Sequence, residues 1–201
     1  AHGLTLTATD PTGNESAPSA QFDLAVDTTP PAAPVIVGAM DDVGSVTGLV
    51  TIGGSTDDTR PVFSGTGGTP GDTIKLYDGA TVVGTAVVQP DGTWSVTPTA
   101  PLSEGANSLT TTATDAAGNE SAPSAAFTLT VDTSAPTQTA SISGYTDDVG
   151  TNQGTFGSGS STDDTQLVLT GTLSGAIGAT DVVRVYYGAT LLGTAAVAGT
   201  A

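Results

Sequence analysis

The sequence predicts an all-β protein built from serial β-sandwich domains, because its composition, its alternation of apolar and polar residues and its internal repeat all favour that fold. Gly (27 residues), Pro (12 residues) and many Thr, Ser and Val residues are typical of short strands joined by tight turns. Apolar and polar residues alternate from Phe127 to Val131, as they do in a half-buried strand. Of the 20 acidic residues, 17 are Asp, which suits turns and hard-cation sites better than helices.

The internal repeat sets the size of each domain. The segment TATDPTGNESAPSAQFDLAVDT begins at Thr7, and the related TATDAAGNESAPSAAFTLTVDT begins 105 residues later at Thr112. The motif DDVG at Asp41 and the motif STDDT at Ser55 both recur 106 residues later. YDGATVVGTA recurs as YYGATLLGTA after 109 residues, which predicts a three-residue insertion between Gly171 and Asp181. A period of this length is that of an immunoglobulin-type domain, so we predict tandem Greek-key sandwiches.

The repeats divide the chain into three parts and define the strands. Residues 1–28 are predicted to be the C-terminal part of one repeat, 29–133 a complete repeat, and 134–201 the N-terminal two-thirds of another. We expect the chain to be a slice of a longer array. In the complete repeat we predict strands near 33–39, 60–66, 73–77, 106–114 and 124–132, with two more between 81 and 98. Asp-Gly pairs at 78–79 and 91–92 predict hairpin turns, and 40–59 is predicted to be one long loop.

The charge and the residue types exclude several classes of function. The net charge is −17 and the only basic residues are Arg60, Lys75 and Arg184, so nucleic acid is excluded as a partner and an anionic membrane surface is disfavoured. No apolar stretch approaches the roughly 18 residues of a membrane span, so we expect no membrane insertion. The chain has no Cys and its single histidine is His2, so no nucleophile has a base and no enzyme activity is expected.

Pairs of adjacent aspartates are the strongest candidate for chemistry. They flank the segment 40–59, and the next repeat keeps them while the residues between them change; the pairs are Asp41–Asp42, Asp57–Asp58, Asp147–Asp148 and Asp163–Asp164. Two carboxylates about 4 Å apart repel by roughly 1 kcal/mol in water and more near a protein surface, so a gathered set needs a cation. Calcium takes about 6–8 oxygen ligands in flexible geometry, magnesium resists dehydration, and zinc prefers Cys and His. The residues therefore predict Ca²⁺ as the cofactor.

The expected topology places these aspartates at the junctions between domains. In such a sandwich the loop after the first strand lies where the last strand exits, so the four acids of the complete repeat should approach the linker residue Asp132 and also Asp181. At the preceding junction we expect Asp27, Asp72 and Asp115 to contribute. Two alternatives stay open: the aspartates are solvated turn residues, and Asp115, like Asp10, stabilises a D-x-x-G-N turn through its own backbone.

The motifs taken in order resemble a known family. ATDAAGNESAPSAAFTLTVDT, DDVG, STDDT, a YDGAT-type hairpin and PDGTWSV are similar to the bacterial Ig-like (BIg) repeats of giant non-fimbrial adhesins, the type I-secreted, RTX-related adhesion and biofilm proteins. The resemblance implies an extracellular stalk on the bacterial cell surface, with calcium rigidifying the junctions between neighbouring repeats of the same chain. It implies that other parts of the parent protein contact a host or biofilm surface. It places the calcium ligands on the DDVG and STDDT aspartates and the linker Asp. The insertion near 172–180 and the loss of PDGTW after Val197 depart from the family pattern.

Two other functions remain as alternatives at this stage. An Ig-like accessory module would bind carbohydrate or a host protein directly, and it would need an exposed aromatic or apolar patch. The Thr, Ser, Gly and Asp content predicts that the surface lacks such a patch. A self-assembling S-layer or matrix protein is the other alternative, and lateral association would distinguish it.

Overall fold

The computed structural model describes residues 2–178 and 181–198, and these residues form sixteen β-strands and no helix, which confirms the all-β prediction. In chain order the strands are β1 (His2–Leu4), β2 (Phe22–Leu24), β3 (Val35–Asp41), β4 (Gly48–Val50), β5 (Ser55–Thr56), β6 (Val62–Thr66), β7 (Thr73–Asp78), β8 (Thr81–Val87), β9 (Thr93–Val96), β10 (Gly105–Thr114), β11 (Phe127–Val131), β12 (Ala140–Asp147), β13 (Gly154–Phe156), β14 (Val168–Leu173), β15 (Val183–Tyr187) and β16 (Thr190–Ala195). The chain divides into two compact units, Ala1–Thr133 and Ser134–Ala201, and each is described by itself.

The complete repeat in the first unit is a sandwich of two sheets. One sheet has the order β4-β3-β6-β9, and the other has the order β5-β11-β10-β7-β8. All neighbouring strands are antiparallel except β5 and β11, which run parallel. This arrangement is an immunoglobulin-like Greek-key sandwich, because the chain passes between the two sheets after β4, β5, β6, β8 and β9.

The core lies between the two sheets and is built from the residues that alternate inward. Phe63 and Trp94 come from one sheet, and Ile74, Leu76 and Leu109 come from the other; all five are buried. Because a buried indole N–H needs an acceptor, Trp94 Nε1 donates to the Thr66 carbonyl oxygen at 3.2 Å. This tryptophan is therefore a core residue, as is usual in sandwiches of this type.

The segment 40–59 is not the loop that the sequence predicted. Strand β4 pairs with the end of β3, and β5 pairs with β11 of the other sheet. The chain therefore crosses from one sheet to the other within this segment. Strands of three and two residues are too short to give a detectable period-2 pattern, which is why they were missed.

The hairpin predicted at Asp91–Gly92 is also wrong. Strand β8 belongs to the sheet of β7, whereas β9 pairs with β6 in the opposite sheet. The Asp-Gly pair therefore makes a tight turn that carries the chain between sheets, with Gly92 at φ +80°. By contrast, Asp78–Gly79 does connect the paired strands β7 and β8.

The segment before the complete repeat contains a small two-stranded element. Strands β1 and β2 pair antiparallel, with Leu4 opposite Phe22. Their sequence and pairing match β10 and β11 of the complete repeat, where Leu109 lies opposite Phe127. In the complete repeat these side chains are buried, whereas in β1 and β2 they are exposed.

The second unit repeats the first half of the sandwich. Strands β13, β12 and β14 form one sheet, and β15 pairs with β16. The bulge at Ile142/Gly144 reproduces the bulge at Ile36/Gly38. The predicted insertion near 172–180 and the loss of PDGTW after Val197 fall partly outside the described residues, which omit 179–180 and 199–201.

Two adjacent threonines of β10 give opposite expectations for stability. Thr111 is fully buried, and within the described residues its hydroxyl has no hydrogen-bond partner. Thr111→Val replaces that hydroxyl with a methyl group of similar size, so the free energy of unfolding should rise by about 1 kcal/mol. Thr112 Oγ1 donates to Glu120 Oε1 at 2.7 Å, so Thr112→Val should lower the free energy of unfolding by about 1 kcal/mol.

Urea unfolding of the two variants and the parent chain measures both effects. The two substitutions remove the same atom from neighbouring residues, so each variant is the control for the other. A loss of stability in both variants would show that the Thr111 hydroxyl has a stabilising role that its surroundings do not reveal.

Candidate functional site

The two acidic motifs of the complete repeat meet where the chain changes sheets. Asp41 ends β3, and Thr56 lies in β5. The Thr56 hydroxyl donates to Asp41 Oδ2 at 2.7 Å, and the Val43 N–H donates to Asp41 Oδ1 at 3.0 Å. Asp41 and Thr56 are both buried. A buried carboxylate must be hydrogen-bonded, and here the bond also ties one sheet to the other.

The second aspartate of STDDT extends this network. The Asp58 N–H donates to Thr56 Oγ1 at 3.0 Å, so the threonine hydroxyl donates to one acidic residue and accepts from another. Asp58 Oδ1 accepts from the Arg60 N–H at 2.7 Å. The backbone of STDDT is thereby held in one conformation by its own side chains. We call Asp41, Asp42, Thr56, Asp57 and Asp58 the acidic corner.

The next repeat contains the same network with the same distances. Thr162 Oγ1 donates to Asp147 Oδ2 at 2.7 Å, and the Asp164 N–H donates to Thr162 Oγ1 at 3.0 Å. Asp164 Oδ1 accepts from the Gln166 N–H at 2.7 Å, as Asp58 does from residue 60. The second acidic corner therefore comprises Asp147, Asp148, Thr162, Asp163 and Asp164.

The remaining aspartate of each STDDT motif packs against the glycine of DDVG. Asp57 is exposed, and a Cβ placed on Gly44 would lie 2.0 Å from Asp57 Oδ2. Gly44 also has φ +73°, which other residues rarely adopt. Gly150 and Asp163 repeat this arrangement, with a distance of 2.3 Å and φ +72°. Asp42 and Asp148 are exposed beside these corners.

The linker after the complete repeat begins at the acidic corner. Asp132 follows β11, and its N–H donates to the Thr56 carbonyl oxygen at 2.9 Å. Because β5 and β11 are parallel neighbours, both motifs and the linker reach the same end of the sandwich. The structure thus brings the backbone of Asp132 to the acidic corner.

The preceding linker meets the D-x-x-G-N turn. Asn119 Nδ2 donates to the Asp27 carbonyl oxygen at 3.2 Å. The carboxylate of Asp115 accepts from the N–H groups of Ala117 and Asn119 and from the Asn119 side chain, each at 2.9 Å. The bond from the Asn119 side chain, followed by the backbone bonds, holds the pKa of Asp115 below its usual range. Asp10 has a lowered pKa for the same reason, so both residues stabilise an Asx-type turn.

Asp72 and Asp181 occupy equivalent positions and have one shared role. Asp72 Oδ2 accepts from the Thr69 N–H at 2.7 Å, and Asp181 Oδ2 accepts from the Gly178 N–H at 2.9 Å. Each side chain closes the turn before its strand. Their contribution to a calcium site stays a prediction.

The two acidic corners contain the type of ligand that calcium requires, but their carboxylates are not gathered around one point. Among residues 2–178 and 181–198, no three His, Cys, Asp or Glu side chains lie close enough together to hold a metal ion. The corners offer oxygen donors alone, which is the ligand type that calcium takes. Asp41 and Asp58 are held by hydrogen bonds, whereas Asp42 and Asp57 are exposed. The donor type fits calcium, and the exposed carboxylates would have to gather around it.

Two kinds of residue in this network were not predicted from the sequence. Thr56 and Thr162 link the acids, and Gly44 and Gly150 make room for a carboxylate. All four lie inside DDVG and STDDT, so their recurrence in both copies was the available signal. A second unpredicted cluster surrounds Glu120. The hydrogen bond from Thr112, followed by the contact with Lys75 Nζ at 3.1 Å, lowers the pKa of Glu120.

The complete repeat exposes more apolar surface than its composition predicted. Large apolar side chains on β3, on β4 and in the neighbouring loops are exposed; they are Val35, Val37, Met40, Val46, Leu49 and Ile52. The next repeat has polar residues at all six equivalent positions. A cavity of about 200 Å³ lies between this surface and residues 124–127. The prediction that no apolar patch exists is therefore wrong. The face contains no aromatic ring, so it suits a protein partner better than a carbohydrate.

Comparison with known proteins agrees with the fold. The sandwich geometry and the repeated corners define an immunoglobulin-like repeat. The family model of the bacterial Ig-like domain matches residues 33–133, which is just over half of the chain, and the chain belongs to that family. Such domains commonly occur in surface or extracellular proteins, and the family is typically non-enzymatic. No curated protein matches the chain. Where the structure is described, no helix is long and apolar enough to span a membrane.

The close contact between Gly44 and Asp57 gives a test of the corner. Gly44→Ala and Gly53→Ala both place a side chain at positive φ, and each should lower the free energy of unfolding by about 1 kcal/mol. A Cβ on Gly53 meets nothing within 4 Å, whereas one on Gly44 must displace the Asp57 carboxylate. Gly44→Ala should therefore be the more destabilising variant, by about 1 kcal/mol more.

Thermal unfolding of the two variants provides the comparison. Gly53→Ala is the matched control, because it carries the backbone strain without the contact. Equal losses in the two variants would mean that the packing of Asp57 on Gly44 does not contribute to stability.

Proposed function

We propose that this chain is a segment of a calcium-rigidified stalk in a large bacterial cell-surface adhesin, and that it is not an enzyme. The duplicated acidic corner carries this proposal. Two repeats keep the same five corner residues while the sequence between the motifs differs, and three of the five make the same hydrogen bonds in both repeats. A network that only closed a turn would not require two further exposed carboxylates beside it.

In the proposed site, some residues of the acidic corner position the backbone and others would hold the ion. Asp41, Thr56 and Asp58 are buried and position the backbone. Asp42 and Asp57 are exposed and, together with the linker residue Asp132, would hold the ion. Calcium, when bound, supplies positive charge and shared coordination for carboxylates that otherwise repel one another. In the next repeat, Asp148 and Asp163 have the corresponding part.

The position of the site connects ion binding to the shape of the array. Asp132 opens the linker VDTSAP, which is short and contains proline, so the freedom of the hinge is already limited. An ion that joins the corner to this linker would fix the exit direction of the chain from the sandwich. Because such an ion binds only the folded form, it would also stabilise the fold by mass action.

The place of this segment in an adhesin is supported by family and composition. The bacterial Ig-like family is common in surface or extracellular proteins, and the net charge of −17 disfavours nucleic acid and anionic membranes. The motif order resembles RTX-related adhesins, which implies type I secretion, a role in biofilms and target binding by other parts of the protein. A host-protein module acting through the apolar face, or a laterally assembling S-layer or matrix protein, remains the alternative.

Small-angle scattering and thermal unfolding test the calcium proposal together. Calcium should narrow the distribution of end-to-end distances of the chain and raise its melting temperature. The expected stabilisation is about 2.7 kcal/mol when free calcium is 100 times its dissociation constant. Asp42→Asn combined with Asp57→Asn should remove most of this response, because it removes two of the carboxylates proposed to hold the ion. The buried network stays intact, so the variant should still fold.

A matched variant controls for the loss of charge. Asp23→Asn combined with Asp78→Asn removes the same charge from two aspartates that are not part of the acidic corner, and it should keep the full calcium response. If calcium and chelator give identical scattering and melting in the parent chain, the aspartates are only solvated turn residues and the proposal fails.

A further inference from the structure

The complete repeat has a groove along one side of its sandwich. The crossing segment 51–56 closes part of this side, because it forms hydrogen bonds and strand pairs with β11 from Thr128 onward. Between the first half of β3 and the start of β11 lies a cavity of about 200 Å³. Both sheets of this repeat lie within residues 33–133, the range that matches the family model, so the groove is a feature of a whole domain.

Apolar side chains line this groove, and none of the nine residues around it is charged. Its floor is the buried Phe127 and the partly buried Ile36. Its rim is formed by Val35, Val37 and Ile52, which are 57%, 56% and 63% exposed. The volume is smaller than the roughly 300–1,000 Å³ of small-molecule sites, so the groove suits side chains that another polypeptide inserts.

The fold does not require apolar side chains at this rim. The next repeat has exposed serines at all three equivalent positions, Ser141, Ser143 and Ser158. It nevertheless keeps the same bulge in its first strand, between Ile142 and Gly144. A cluster of exposed apolar side chains that the fold does not need indicates an interaction site.

The main chain of β3 has a free edge along the groove. Strand β6 pairs with β3 from Val35 to Met40, whereas β4 pairs with the opposite edge from Ala39 to Asp41. Among the described residues, no strand pairs with that edge between Val35 and Val37. Such an edge can accept another strand, whose main chain supplies hydrogen bonds and whose alternate side chains enter the groove.

The charge of the chain determines which strand is favoured. The net charge is −17, and the exposed charged residues nearest in sequence to the rim are Asp42 and Asp57. A second copy of the chain would bring the same negative charge, so electrostatic repulsion opposes self-association. A positively charged strand is attracted instead.

We propose that the groove between β3 and β11 binds an extended, positively charged strand of a partner protein that has apolar side chains at alternate positions. The strand would extend the sheet of β3 along Val35–Val37, and its apolar side chains would cover the rim and the floor. This role goes beyond that of a stalk, because the serines of the next repeat do not support it. It does not depend on calcium.

Calorimetric titration of the whole chain with synthetic peptides tests the proposal in chelator, where ion binding at the acidic corners plays no part. The probe is an eight-residue peptide in which Val and Lys alternate, and it should bind saturably at one site. Three matched peptides should each bind at least about tenfold more weakly. Alternating Val and Glu has the wrong charge, alternating Ser and Lys lacks the apolar side chains, and the Val–Lys peptide methylated at every backbone nitrogen lacks the main-chain donors.

A variant of the rim gives the matched test on the protein. Val35→Ser, Val37→Ser and Ile52→Ser together introduce the residues of the next repeat, so the triple variant should keep the circular dichroism spectrum of the parent. It should bind the Val–Lys peptide at least about tenfold more weakly, because three apolar contacts are lost. Val82→Ser combined with Val87→Ser removes exposed valines from β8, the edge strand of the other sheet, and should bind like the parent.

Amide signals of the ¹⁵N-labelled chain locate the bound peptide. Those of Val35, Val37 and Ala126 should shift with the Val–Lys peptide, while those of β8 stay in place. The absence of saturable binding, equal binding of any matched peptide, or shifts confined to another surface would overturn the proposal. Self-association of the chain that the triple variant abolishes would assign the groove to a second copy and would overturn it too.

Discussion

The hydrogen bond from the Thr56 hydroxyl to the Asp41 carboxylate is the interaction on which the end of this sandwich depends. It joins the last residue of β3 to β5, and these strands belong to different sheets. A hydrogen bond to a charged acceptor contributes about 1.5–3 kcal/mol, and removing the hydroxyl would leave a buried carboxylate without that partner. The same bond recurs between Thr162 and Asp147, where it joins the end of β12 to the STDDT motif of the next repeat.

That bond also determines where the free carboxylates lie. Because Asp41 and Asp58 are held by backbone and hydroxyl groups, their neighbours Asp42 and Asp57 are displayed outward at the same end as Asp132. Like charges fixed in this way repel, and the sequence offers few cations to offset them. In the proposed site an external calcium ion would be the partner of these carboxylates, and its position at the linker would connect folding, charge and the shape of the array.

Much of the fold could be predicted because its signals repeat. Several of the main strands alternate apolar and polar residues, and the offset of about 105 residues between motifs gave the size of each domain. The short strands β4 and β5 gave no such signal, and the turn at Asp91–Gly92 looked like a hairpin because sequence alone does not show which sheet a strand joins. The importance of the aspartates could be predicted from their recurrence in both repeats. The roles of Thr56, which links the acids, and of Gly44, which makes room for a carboxylate, could not be predicted, because they arise only when distant motifs meet.

The central claim is that the corner and the linker bind one kind of ion in the same way in each repeat. Titration of the ¹⁵N-labelled chain with calcium, followed by two-dimensional NMR, tests it most directly. The account predicts that amide signals of Val43, Asp58 and Asp132 shift together, along with those of Val149 and Asp164, while signals near Asp23 and Asp78 stay in place. Shifts spread evenly over all exposed aspartates, or no shifts at millimolar calcium, would contradict it.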